Sequence, residues 1–149
     1  MSTNDTTVIV QSLAHFFNMP NSHLSDGIFA PHFVAHVPML LPLSQVGFKG
    51  FVQGLHLAFP DLHMSIDESI MLPNTVVLRT TFYGTHQASF LGILASGCEI
   101  VTPSISLFHT CDELITESWT EMDILGVIQQ ISSYPSSSAE VLLRGCFPN

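Results

Sequence analysis

The order of patterns along this 149-residue chain predicts an α+β fold, with an antiparallel sheet curled around a helical cover. Two observations carry the prediction. The first half of the chain has apolar residues at helical spacing, whereas the second half has four stretches in which apolar and polar residues alternate as they do in strands. A last helical stretch closes the chain. The predicted order is helix, short helix, short strand, helix, four strands and helix.

The helices are predicted from apolar residues that recur every three or four positions. Asp5 or Thr6 is the expected cap of the first helix, and Pro20 follows its end. A short helical turn is predicted near 22–29. The next helix ends at Pro60. Its apolar stripe consists of Phe48, Phe51, Val52, Leu55 and Phe59.

The strands are predicted from alternation with a period of two. A short extended segment around Phe33 comes before the third helix, and Pro38 keeps the preceding residue out of the helical region. Alternation resumes at His63, and the β-branched and aromatic run at 75–84 is typical of a central strand. Residues 87–97 contain two glycines and are expected to form a loop or a poorly paired hairpin.

The stretch 104–131 predicts a hairpin followed by a helix. His109 alternates with Leu107 along the first strand, so we expect its imidazole to face an apolar interior. After a turn at 111–113 the chain returns antiparallel, and Asp123 falls in the first turn of the closing helix, where exposed N–H groups favour a carboxylate. The hairpin therefore predicts that His109 and Asp123 meet at one pocket.

Composition excludes several classes of partner. Three basic residues against twelve acidic ones give a net charge of −9, so the chain cannot neutralise a phosphate backbone or an anionic membrane surface. Charged residues make up 10% of the chain, well below the usual quarter. An apolar surface of this kind predicts a homo-oligomer, with a dimer as the expected form.

Length and cysteine content bound the organisation of the chain. One domain is predicted at 1–132, and 133–149 is a Ser/Pro-rich tail that is either disordered or docks on a partner subunit. Three scattered cysteines suit reduced thiols better than a disulfide framework. No secretory signal or membrane-spanning stretch is evident, so a cytoplasmic location is expected.

Four short motifs carry a family resemblance. They are AFPDL at 58–62, RTTFYGTH at 79–86, FLG at 90–92, and the pair Trp119 and Asp123 in a W-x3-D spacing. Together they make the chain similar to the SnoaL-like polyketide cyclase family of the nuclear transport factor 2-like superfamily. The resemblance implies a cone-shaped α+β barrel, usually oligomeric, that encloses an apolar cavity.

The resemblance also implies a chemistry. Such cyclases close a ring by intramolecular aldol condensation without a metal or organic cofactor. It implies that Asp123 is the acid/base residue and that His109 assists it. Spacing alone favours a simpler role for Asp123, as a helix N-terminal carboxylate. On the catalytic interpretation, Asp123 removes a proton α to a carbonyl and His109 donates to the developing oxyanion.

Further residues are predicted to bind the substrate. They are His36, His86, Phe33, Phe51, Leu55, Phe90 and Trp119. The five apolar or aromatic members are residue types that also build ordinary cores. His32 and His36 have the i, i+4 spacing of metal ligands on a helix, but Pro31 and Pro38 argue against a helix there, so no metal site is predicted.

These observations predict a cofactor-independent enzyme that cyclises or isomerises a small hydrophobic polyketide or terpenoid-like substrate. Two alternatives stay open. One is epoxide hydrolysis on the same scaffold, which needs an Asp-Arg-Asp constellation that Arg79 and Asp123 supply in part. The other is a non-catalytic module that binds a hydrophobic ligand. No Ser or Cys nucleophile motif and no nucleotide-binding motif is present.

Overall fold

A computed structural model describes residues 3–132, with side chains from residue 7 onward. These residues form three α-helices, one 3-10 turn and five strands, in the predicted order. The elements are α1 (Thr3–Asn18), the 3-10 turn (Asp26–Ile28), β1 (Phe29–His36), α2 (Gln45–Ala58), β2 (His63–Leu72), β3 (Thr75–Thr85), β4 (Glu99–Cys111), β5 (Leu114–Met122) and α3 (Ile124–Ile131). The predicted tail at 133–149 lies outside the described residues.

The five strands form one open, mixed sheet in the order β1-β5-β4-β3-β2. Strands β2 to β5 are antiparallel to their neighbours, but β1 runs parallel to β5, with Ala35 opposite Ser118. The prediction of an α+β fold is confirmed, whereas the prediction of a wholly antiparallel sheet is wrong. A long connection separates β1 from β5 along the chain, so alternation within each strand could not reveal their relative direction.

One face of the sheet, the inner face, packs against the helices. Six phenylalanines from α1, α2, β1 and β3 meet there with ring centroids 4.5–6.1 Å apart. They are Phe16, Phe17, Phe29, Phe33, Phe48 and Phe82. Aromatic pairs at these distances add to the free energy gained from buried area. The other face, the outer face, is exposed.

Two helix starts differ from the prediction. Because α1 begins at Thr3, the expected caps Asp5 and Thr6 lie inside the helix. At the other end of the chain, β5 continues to Met122 and Asp123 is the N-cap of α3 rather than a residue of its first turn. Within residues 3–132, no helix combines the length and the apolar content needed to cross a bilayer.

Strand β4 has its predicted period but the opposite orientation. Phe108 and Ser106 face the core, while Ile105 is 56% exposed and His109 is exposed. The prediction that His109 faces the interior is therefore wrong. Both faces of β4 carry apolar and polar residues. The alternation therefore predicts a strand but does not show which of its two faces is buried.

Candidate active site

An apolar cavity lies at one end of the inner face, where α2 and β5 end and α3 begins. Its volume is about 20 Å³, which is room for one water and far below the ~300 Å³ or more of typical ligand pockets. Ten residues line it: Leu55, Phe59, Leu62, Phe82, Phe90, Ile100, Thr102, Met122, Ile124 and Val127. Of the residues predicted to bind substrate, Leu55 and Phe90 are among them.

An open cleft of about 270 Å³ lies next to this cavity and contains Asp123. The cleft is lined by Pro103, Ser104, Ile105, Glu121, Met122 and Asp123. Pro103, Ile105 and Glu121 are exposed positions of the outer face, so the cleft opens on that face, whereas the cavity lies on the inner face. Met122 contributes to the lining of both spaces at the end of β5.

Local structure fixes the position of Asp123. Its backbone N–H donates to the carbonyl of Pro103 at 3.4 Å, and its Oδ1 accepts the N–H of Gly126 at 2.9 Å. A Cβ on Gly126 would collide with the Asp123 carboxylate, so glycine is required for this arrangement. The carboxylate caps α3 at the exposed rim of the cleft, between two cavity-lining residues, Met122 and Ile124.

His109 lies far from Asp123. It is paired with Glu117 near the turn, and its Nδ1 is 3.3 Å from the hydroxyl of Thr75 on the outer face. Asp123 is bonded at Pro103, six residues away along β4, which corresponds to about 20 Å at the rise of a strand. The predicted meeting of the two side chains is therefore wrong. A tight hairpin pairs residues equidistant from its turn, and these two are not equidistant.

His36 and Trp119 are also on the outer face, opposite the cavity. Their rings stack with centroids 3.6 Å apart, and His36 Nε2 is 3.0 Å from the Glu117 carboxylate. Their predicted place in the cavity wall is wrong because each adjoins a residue that faces inward, Ala35 and Ser118 respectively, and neighbours in a strand face opposite sides.

Phe33 and Phe51 are part of the helix-side core rather than of the cavity wall. Phe33 is buried in the phenylalanine cluster, and Phe51 is half-buried over Phe48 at 6.5 Å between ring centroids. Neither residue lines the apolar cavity or the cleft. The spacing of apolar residues predicts that both side chains are buried. It does not predict whether they pack in the core or line a cavity.

His86 is fully buried directly after β3, where it anchors the loop 87–97. Its Nδ1 accepts the backbone N–H of Ser96 at 3.2 Å, so a neutral imidazole carries its proton on Nε2. That Nε2 has no hydrogen-bond partner within residues 3–132. The ring packs against Phe59, a cavity residue, at 5.5 Å between centroids. His86 therefore lies behind the cavity wall.

Sequence reasoning missed a group of hydroxyls on the inner face of the central strands. Ser106 and Thr120 bond each other at 2.9 Å, whereas the hydroxyls of Thr80, Ser104 and Ser118 are buried without a partner among the described residues. The alternation of Thr and Ser along β4 was a readable signal. The predicted orientation of β4, with His109 facing inward, instead puts these positions on the outer face.

The fold and the site together define an α+β protein whose sheet and helices enclose a small apolar space with a carboxylate at its rim. The family model described as SnoaL-like polyketide cyclase matches residues 7–131. The chain therefore belongs to the SnoaL-like polyketide cyclase family. No curated protein matches it.

Solved structures share this fold at low identity. TsrD from Streptomyces laurentii is 22% identical, with 90% of this chain and 99% of that chain covered and a TM-score of 0.80. AclR from Streptomyces galilaeus is 19% identical, with 90% and 100% covered and a TM-score of 0.78. IdmH from Streptomyces antibioticus is 22% identical, with 83% and 96% covered and a TM-score of 0.73. At these identities the likeness shows the fold alone.

Proposed function

We propose that the protein is a cofactor-independent enzyme that closes a ring, or moves a double bond, in a polyketide or terpenoid-derived substrate by proton transfer. The family membership supports the general class. The observation that carries the proposal is the position of Asp123 between Met122 and Ile124, both of which line the apolar cavity. A carboxylate there can meet a polar reacting centre while the apolar remainder of the substrate enters the protein.

In this mechanism Asp123 is the general base. It takes the proton from a carbon α to a carbonyl, and the resulting enolate attacks a second carbonyl of the same molecule to form the new carbon–carbon bond. The alkoxide then takes a proton from the solvent or from the protonated Asp123. Isomerisation uses the same first step, followed by return of the proton to another carbon. Neither reaction changes the oxidation state of the substrate as a whole.

Substrate binding requires the cavity to enlarge. The loop 87–97 covers one side of it, because Phe90 packs against Phe59 at 5.2 Å between ring centroids. On the other side Met122, the residue before Asp123, closes the cavity at the end of β5. Displacement of these two side chains would enlarge the apolar space towards the end of β5, which Asp123 follows.

The epoxide hydrolase alternative finds less support in the geometry. Arg79 lies on the outer face, where it forms ion pairs with Asp67 at 3.5 Å and Glu68 at 3.2 Å. It belongs to β3, whereas Asp123 follows β5, and β4 lies between these strands. Within the described residues, Arg79 thus forms ion pairs with Asp67 and Glu68 and not with Asp123, so an Asp-Arg-Asp constellation that includes Asp123 is not formed.

The test is exchange of an α-proton for deuterium, which needs no knowledge of the natural substrate. We expect the protein to catalyse exchange at the α-carbon of 2-tetralone, an apolar ketone, in D₂O, followed by proton NMR. Asp123→Asn keeps a capping side chain and should lower the catalysed rate by about 100-fold or more. Glu121→Gln, which changes the other carboxylate of the cleft, should keep most of the rate.

Either of two outcomes would count against this function. Equal exchange rates for the parent and for Asp123→Asn would show that Asp123 is not the general base. No exchange above the buffer rate, with binding of 2-tetralone still measurable, would favour the non-catalytic ligand-binding module.

We also propose that two copies of the chain associate through the outer face of the sheet. Trp119, Leu107, Val77 and Ile70 form a continuous row across four strands there, and Trp119 is 50% exposed. From strand spacing and rise, five strands of this length present roughly 700 Å², close to the ~800 Å² that each partner buries in a standard interface. A second copy would cover this row of residues with the same row.

A further inference from the structure

Two unpartnered hydroxyls lie side by side on the inner face of the sheet. Thr80 of β3 is directly opposite Ser104 of β4, and both side chains face the core. Thr80 is 2% exposed and Ser104 is 3% exposed. Neither hydroxyl oxygen has a hydrogen-bond partner in the part of the chain that the structure describes.

The surrounding sheet shows how such groups are ordinarily satisfied. Next to this pair, Ser106 and Thr120 bond each other at 2.9 Å, and Thr102 donates to the carbonyl of Asp123 at 3.4 Å. A buried hydroxyl without a partner costs free energy that alanine or valine would not cost at the same place. Thr80 and Ser104 therefore need an explanation that packing does not supply.

The pair adjoins the apolar cavity on the inner face. Met122 is opposite Ser104 on β5, so Thr80, Ser104 and Met122 form one row across three strands. Met122 and Thr102, the next inward-facing residue of β4, both line the cavity. Displacement of the Met122 side chain would extend the cavity to Ser104, and then to Thr80.

The charges nearby indicate what kind of group the pair would accept. Both hydroxyls can donate and accept, so they suit a carbonyl, an enol or a phenol. Among the described residues, Lys49 is paired with Asp26 at 2.5 Å, and Arg79 is paired on the outer face. Because neither Lys49 nor Arg79, the basic residues of the described part of the chain, is directed at the pair, a neutral oxygen fits better than a carboxylate or a phosphate.

We propose that Thr80 and Ser104 form the binding site for a neutral oxygen atom of the ligand, a ketone, enol or phenol group carried on an apolar ring system. This inference deepens the proposed function, since it names the substrate group held beyond the base. The inference depends on the proposed function only because it takes Asp123 as the base. The hydroxyl site itself is tested by ligand binding, without any reaction.

The experiment compares two probes of similar volume, 2-naphthol and 2-methylnaphthalene, by fluorescence titration of the full chain. One hydrogen bond to the hydroxyl pair should give 2-naphthol an affinity about fivefold higher. In Thr80→Val/Ser104→Ala this preference should fall to about one, while the melting temperature stays the same or rises. If the two hydroxyls had only a structural role, their removal would not combine an unchanged or higher melting temperature with a loss of selectivity.

The control variant is Ser106→Ala/Thr120→Val, which removes the two hydroxyls that already satisfy each other. It should keep the preference for 2-naphthol. Equal affinity of the parent for both probes, no binding of either, or an unchanged preference in Thr80→Val/Ser104→Ala would each overturn the proposal. Asp123→Asn should abolish exchange and keep the preference, so failure of the enzyme assignment and failure of the hydroxyl site are separate results.

Discussion

The side-chain carboxamide of Gln130 forms two hydrogen bonds with the backbone of Val101, as a neighbouring strand would. Its Oε1 accepts the Val101 N–H at 2.7 Å, and its Nε2 donates to the Val101 carbonyl at 3.1 Å. Strand β5 is paired with β4 only from Ser104 onward, so Val101 lies on a part of β4 that has no strand on this side. One side chain of α3 thus satisfies two backbone groups and holds the helix against the cavity end of the sheet.

We expect Gln130→Met to lower the free energy of unfolding by about 0.5–1.5 kcal/mol, because it removes the hydrogen bonds to Val101, a residue exposed enough for water to replace them in part. Gln129→Met, at the neighbouring position of α3, should change it by less than about 0.5 kcal/mol. Urea denaturation followed by circular dichroism measures both values. Equal effects of the two substitutions would contradict the role assigned to Gln130.

Gly126→Ala should impair the reaction while leaving α3 in place. An added Cβ collides with the Asp123 carboxylate, so this short side chain must move away from the cap and from the cleft rim. Gly54→Ala is the matched control, since a Cβ at Gly54 of α2 meets nothing within 4 Å. Gly54→Ala should stabilise the protein by about 0.5–1 kcal/mol and keep the rate of 2-tetralone exchange.

If both glycine variants exchange 2-tetralone at the parent rate, the position of the Asp123 carboxylate does not control the reaction. Stability measured alongside separates this outcome from unfolding. An inactive Gly126→Ala protein that also melts well below the parent would show loss of the fold rather than displacement of the carboxylate alone.

The elements were predictable from sequence because each has a strong local pattern. The stripe from Phe48 to Phe59 can be buried on one side only as a helix, and the run at 75–84 fits only a strand. Two residues predicted to bind substrate, Leu55 of that helical stripe and Phe90 of the FLG motif, lie in the wall of the apolar cavity. These features depend on neighbours within a few positions of the chain.

What could not be predicted depends on contacts between distant parts of the chain. The buried face of β4 is set by the helices that pack on it, and its own mixed residues Ser104, Ile105 and Ser106 give little preference. The separation of His109 from Asp123 is set by hairpin register, and the exposed positions of His36 and Trp119 are set by the pairing of β1 with β5. The alternation of residues within one strand does not show how that strand pairs with others or which of its faces the helices cover.

A pH dependence is expected from Asp61. Its carboxylate accepts the Thr85 hydroxyl and the Thr85 backbone N–H, each at 2.7 Å, and these bonds, that of the hydroxyl first, lower the pKa of Asp61. A pKa that is lower in the folded state stabilises the protein above the unfolded pKa of about 4, and this contribution is lost as the pH falls through the folded pKa. The loss should therefore occur below about pH 4.

Asp61→Asn tests this dependence. The difference in free energy of unfolding between the parent and Asp61→Asn should be constant above about pH 5 and should shrink below about pH 4. Thr85→Val removes the first of the two bonds, so it should raise the pKa of Asp61 and shift the loss to higher pH. Urea titrations between about pH 3 and pH 7 measure these differences, and a difference that does not vary with pH would refute the assignment.

Self-association through the outer face predicts a specific response to charge. Ile105 lies in the centre of that face on β4 and is 56% exposed, so Ile105→Glu places a carboxylate where two copies would meet. Leu94→Glu is the control, because Leu94 is 80% exposed in the loop 87–97, away from the sheet. Size-exclusion chromatography with light scattering should show dimers for the parent and for Leu94→Glu, and monomers for Ile105→Glu. A monomeric parent, or a dimeric Ile105→Glu protein, would show that the outer face does not hold two copies together, because a buried unpaired carboxylate costs more than such an interface can tolerate.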